Sequence, residues 1–85
     1  MDKLILALGQ IPNIAWQLGR CWKADEKGQP LYHGDLYETT EDDTLSSTLR
    51  SHRTENMSDP HDVLLTLYGI AIRWEYERDM RRGNH

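Results

Sequence analysis

Apolar positions along this chain follow two different periods, and the changes of period mark its elements. At the start Leu4, Ile5, Leu8 and Ile11 fall at i, i+1, i+4 and i+7, the spacing of one helix face. Leu and Ala favour that conformation, Gly9 is placed to end it, and Pro12 forbids its continuation. A run this short also fits a buried strand, so composition rather than period makes residues 2–10 a short helix. From residue 14 to residue 23 the pattern alternates instead. Ile14, Trp16, Leu18 and Trp22 share one face of a strand, and Gln17, Gly19, Cys21 and Lys23 share the other, with Arg20 interrupting the apolar side. Asp25-Glu26-Lys27-Gly28 reads as a turn in which Gly28 supplies positive φ. Pro30 then opens a second strand through Leu31–Tyr37, so a hairpin is expected from about 14 to about 38.

Two helices are expected to follow. Thr40 is an N-cap candidate, and Glu41, Asp42 and Asp43 fill the first turn, where the helix dipole favours acids. Leu45, Leu49 and His52 then lie on one stripe of a helix ending near Arg53. In Ser58-Asp59-Pro60-His61-Asp62, Asp59 is the N-cap and Pro60 takes the first helical position. From there to about Arg82 only Gly69 weakens the helix. Its apolar residues form two faces: Val63, Leu64, Leu67, Ile70, Ala71 and Trp74 on one, Leu65, Tyr68, Ile72 and Tyr76 opposite. A surface helix needs one such stripe. Either the helix is central, packed between the hairpin and the preceding helices, or its second face binds a partner or another copy of the chain. The expected fold is α+β: an antiparallel β-hairpin packed against two or three helices, including a long C-terminal one, in a single domain over residues 1–85.

Length and charge then restrict the function. With 85 residues there is room for one small domain. The longest apolar run, Leu4 to Leu8, falls far short of a membrane span, and the start lacks a secretory cleavage site. A single cysteine, Cys21, excludes an internal disulfide and fits a reducing compartment, so a cytoplasmic location is expected. Acids outnumber bases by 14 to 10, for a net charge of −4, which argues against a protein that coats nucleic acid.

Motifs for chemistry are sparse. No Cys-x-x-Cys, His-x-x-x-His or Glu-x-x-His spacing occurs, nor a glycine-rich phosphate loop. His33 and Asp35 share a strand face and could chelate, but the other histidines are scattered, so neither metal nor cofactor is expected. A nucleophilic Cys21 would need a base. His33 comes near it across the hairpin, with Arg20 and Lys23 adjacent, yet a structural thiol is the simpler reading. The acids at 35, 38, 41, 42 and 43 run along one stretch, without the contrast in surroundings that splits a catalytic carboxylate pair. No enzymatic activity is expected.

Binding is better supported. The acidic stretch is either a solvated connection or a recognition patch for a basic partner, where it would steer association more than add affinity. With no Phe, every aromatic side chain carries a polar handle. Trp16, Trp22 and Trp74 are expected in the core. Tyr and Arg, common at binding hot spots, remain for the surface. One candidate patch combines Tyr32, Asp35, Tyr37, Glu38, Asp42 and Asp43; a second combines Tyr68, Ile72, Arg73 and Tyr76. A homodimer through the C-terminal helix is one alternative. A small nucleic-acid regulator using the C-terminal arginines is another, weakened by the acids between them.

The layout runs from Trp16 and Trp22 on one strand, through Leu31–Tyr37, to the capped helix after Thr39-Thr40. It is similar to small acidic α/β proteins encoded by bacteriophages, among them host-protein inhibitors of the anti-defence, anti-CRISPR-like kind. The resemblance lies in layout, size and composition rather than in a shared motif. It implies a non-enzymatic inhibitor or adaptor that blocks a partner protein.

Overall fold

The computed structural model of the chain describes residues 2–39 and 48–83. Helix α1 covers Asp2–Gly9, strand β1 Ile14–Arg20, strand β2 Tyr32–Glu38, strand β3 Arg50–Arg53 and helix α2 Pro60–Gly83. The fold is α+β. The strands form an antiparallel sheet in the order β1-β2-β3, with Trp16 opposite Leu36 and Leu36 opposite His52.

The hairpin follows its turn chemistry. The Asp25 carboxylate accepts the backbone N–H groups of Lys27 and Gln29 at 2.9 and 2.8 Å. Gly28 adopts φ 80, which a residue with a Cβ takes up at a cost. Helix α2 starts as its sequence indicates: the Asp59 carboxylate accepts the His61 N–H at 2.9 Å, with Pro60 at the first helical position.

One face of the sheet packs on α2. Leu36, Val63, Leu64, Leu67 and Ala71 are fully buried there, joined by Leu8 from α1, by Ile11 just after it and by Trp74. Gly34 is the point of closest approach. A Cβ on it would lie 2.7 Å from both Val63 Cγ1 and Leu67 Cδ1. Among the described residues no helix is long and apolar enough to cross a membrane.

Two expectations are corrected. The helix expected from Thr40 to near Arg53 is not one at its end, because residues 50–53 form β3; its start lies outside the described residues. Leu49, expected on one stripe of that helix, lies just before β3 and is 57% exposed. Pairing with β2 wins here and continues past the strand: Thr54 N–H donates to the Gly34 carbonyl, and Thr54 Oγ1 accepts the Gly34 N–H, both at 2.9 Å. Trp22, expected in the core, is fully exposed. Strand β1 ends at Arg20, so the alternation that packs the half-buried Trp16 against the core does not extend to Trp22.

Candidate functional site

Alternation along β2 assigns its polar residues to opposite sides of the sheet. On the helix side stands Glu38, 2% exposed. Its carboxylate accepts from Arg50 Nε at 3.1 Å and lies 3.6 Å from Arg78 Nη2. Arg50 also donates to Glu77 at 2.8 Å and lies 4.5 Å over the Trp74 ring. Arg78 donates to the Thr39 carbonyl at 2.8 Å. The Arg50 hydrogen bond holds the Glu77 carboxyl below the usual range, outweighing the opposite effect of burial. These contacts join β2, β3 and the second half of α2.

The other side of the sheet carries Gln17, His33, Asp35, Tyr37 and Arg53. Asp35 is 5% exposed. It accepts from Arg53 Nε at 2.7 Å and from Gln17 Nε2 at 3.1 Å. The Arg53 bond holds the Asp35 carboxyl below its ordinary value; burial opposes it and Gln17 assists. The His33 ring follows in the same row, its Nε2 3.8 Å from Asp35 Oδ2. His33 Nδ1 lies 3.4 Å from Cys21 Sγ, which is itself 3.2 Å from Asn56 Oδ1. The juxtaposition of Cys21 and His33 that the hairpin allowed is therefore present. Beside it lies an open recess of about 440 Å³ lined by Arg20, Cys21, Trp22, Lys23, His33, Arg53 and Asn56.

The four described residues of the first expected patch do not form one surface. Asp35 and Glu38 lie on opposite faces, each buried against arginine. Tyr32 packs at the edge of the core, while Tyr37 is half-buried beside Gln17. Asp42 and Asp43 lie outside the described residues. The second patch is brought together. Tyr68 is half-buried, Ile72 and Tyr76 are 40% and 65% exposed, and the Arg73 side chain is 80% exposed. Leu65, 47% exposed, extends the same side of α2. No family model, curated protein or solved structure matches the chain. The geometry therefore carries the functional reading.

Sequence reasoning missed Arg53, Asn56 and the outward position of Trp22. Arg53 and Asn56 were hidden by the helix expected before them. The adjacent Arg20 and Lys23 were the visible trace of the recess. Asp59, His61 and Asp62 also bring possible ligand atoms within 4.8 Å of one another. That cluster is the α2 N-cap, with Asp59 already accepting a backbone N–H.

Proposed function

We propose that the chain is a non-enzymatic protein-binding module, an inhibitor or adaptor, that engages a partner protein through the outer stripe of α2. The observation that carries this reading is the stripe itself. Leu65, Ile72 and Tyr76 stand exposed on the side of α2 opposite the fully buried Val63, Leu64, Leu67 and Ala71. The stripe extends over ~17 Å at 1.5 Å per residue. Apolar side chains exposed together on one helix face are the kind of surface that interaction sites use.

Gly69 supports the reading. It lies within the stripe, and a Cβ built on it meets nothing within 4 Å. Glycine in a helix interior costs ~1 kcal/mol relative to alanine, and no contact among the described residues explains it. A partner backbone crossing close to α2 would. Arg73 and Glu77 at the border supply the polar rim that surrounds such an anchor. The likeness to phage-encoded host inhibitors adds a cytoplasmic setting and a host defence protein as the class of partner.

The test compares the tagged chain with its Ile72→Asp and Gly69→Ala variants in pull-downs from host lysate, with nuclease-treated controls. A stoichiometric, nuclease-resistant partner kept by the wild type and lost by Ile72→Asp is the expected result. Gly69→Ala should stabilise the free chain by ~1 kcal/mol while weakening capture. Equal capture by all three chains overturns the α2 assignment. Self-association of the wild type alone, abolished by Ile72→Asp, would replace the foreign partner with a second copy.

A further inference from the structure

On the opposite side of the sheet from the packed helix, we propose that Cys21, His33 and Asp35 form a reactive-thiol site that takes up a negatively charged low-molecular-weight disulfide as a mixed disulfide. This goes beyond the partner-binding reading and does not depend on it.

Hydrogen-bond accounting assigns the roles. Asp35 is held by Arg53 and Gln17 on the Nε2 side of His33. A carboxylate there favours the tautomer with its proton on Nε2, leaving the Nδ1 lone pair directed at Cys21 Sγ. The thiol has one proton to give, and Nδ1 at 3.4 Å is positioned to take it. Asn56 completes the setting. Its Oδ1 accepts from Sγ at 3.2 Å and holds the sulfur in place beside Nδ1.

The ring has a prepared seat. His33 is opposite Gly19 in the ladder, and a Cβ on Gly19 would lie 3.1 and 3.2 Å from His33 Cε1 and Nε2. A glycine at this position lets the imidazole lie over β1 and reach both Cys21 and Asp35. The recess beside the thiol supplies the preference for charge. Arg20, Lys23 and Arg53 line it together with Trp22, a cationic and aromatic corner on a chain of net charge −4. Such surroundings attract carboxylate-bearing reagents to the thiol.

The chemistry balances without a further reagent. His33 Nδ1 accepts the Cys21 proton, and Sγ attacks one sulfur of the incoming disulfide. The Cys21 Sγ–S bond forms as the S–S bond of the reagent breaks, and the departing thiolate takes a proton from His33 or water. Cys21 is oxidised to the mixed disulfide, and the other half of the reagent is reduced to a thiol.

The experiment follows release of thionitrobenzoate from dithiobis(nitrobenzoate), a bis-carboxylate disulfide, with neutral dithiodipyridine as comparison and mass spectrometry of the product. Wild type is expected to react about tenfold faster than His33→Gln or Gly19→Ala, giving one adduct per chain. Its preference for the anionic reagent, measured against free cysteine, should disappear in the Arg20→Glu/Lys23→Glu variant and fade as salt rises. Equal rates in wild type and His33→Gln, both folded by circular dichroism, overturn the proposal. So does a reagent preference no greater than that of free cysteine. Ile72→Asp should leave these rates unchanged, separating this site from the α2 surface.

Discussion

Replacing Gly34 with Ala tests the packing that defines the fold. The added methyl would start 2.7 Å from Val63 Cγ1, 2.7 Å from Leu67 Cδ1 and 3.1 Å from Leu67 Cγ. Carbon atoms in contact sit at ~3.5–4.0 Å, so two buried neighbours must withdraw by nearly an ångström. Leu67 has a second side-chain torsion with which to respond. Val63 is β-branched, with one strongly preferred rotamer in a helix, so α2 itself has to lift from β2. Overpacking of this kind costs ~1–3 kcal/mol, and the stiffness of Val63 argues for the upper half of that range. For a domain of this size each kcal/mol lowers Tm by ~4–8 °C, so a fall of roughly 8–24 °C is expected. Urea denaturation followed by tryptophan fluorescence or circular dichroism should show a lower midpoint at unchanged slope. Val63→Ala removes one of the two clashing atoms, so in the double variant the two losses should add to less than their sum by ~1 kcal/mol or more. A Gly34→Ala protein within ~0.5 kcal/mol of wild type, the range of a neutral surface change, would refute the reasoning.

Two further outcomes test the polar clusters. Glu38→Ala removes the carboxylate shared by Arg50 and Arg78 and should cost ~3–5 kcal/mol by urea denaturation. Retention of the Arg50–Glu77 contact argues for the lower part, and a cost below ~0.5 kcal/mol would show that the cluster carries no stability. Asp35 has its folded pKa depressed from the ordinary 3.8. Its contribution is therefore fully present above that value and is lost as pH falls through the lower folded one. Stability measured from roughly pH 5 to pH 2 should fall more steeply in wild type than in Asp35→Asn; parallel curves would remove Asp35 from the acid response. Glu77, depressed through Arg50, acts in the same direction and remains in both proteins.

Elements whose signals are local were legible in the sequence. The α2 start was readable because Asp59 and Pro60 each satisfy a requirement of the first turn. The hairpin was readable because Asp25 and Gly28 supply a side-chain acceptor and a positive φ. The two faces of α2 follow from angular position alone. What was not legible depends on partners distant in the chain. Leu45, Leu49 and His52 have helical spacing, but the extended conformation of residues 50–53 is stabilised by β2, which no window around them reveals. For the same reason Asp35 and Glu38 resembled a surface patch when their neighbours in sequence were considered, yet both are buried against arginines. Cys21 and His33 were legible as a pair because hairpin register is local. Their connection to Asn56 was not, since it requires the chain to pass β3 first.

The charges of β3 explain how a four-residue strand is tied down on both faces of the sheet. Arg50 and Arg53 are three apart, so their side chains leave the strand on opposite faces. Arg50 meets Glu38 beside α2, and Arg53 meets Asp35 on the open side. Each carboxylate is nearly buried and each arginine reaches it from the edge, so short β3 is held by backbone pairing and by a charged contact on each face. Asp35 and Glu38 are thereby committed internally, and the exposed surface of the described residues keeps its contrast. On one side is the uncharged line of Leu65, Ile72 and Tyr76; on the other is the Trp22 recess with Arg20, Lys23 and the outer edge of Arg53. Because β2 is the common wall, Asp35 orients His33 through one face while Gly34 and Leu36 seat α2 through the other. Perturbing the thiol site should leave the helix stripe intact, and changing the stripe should leave the thiol site intact. Damage to β2 should disable both.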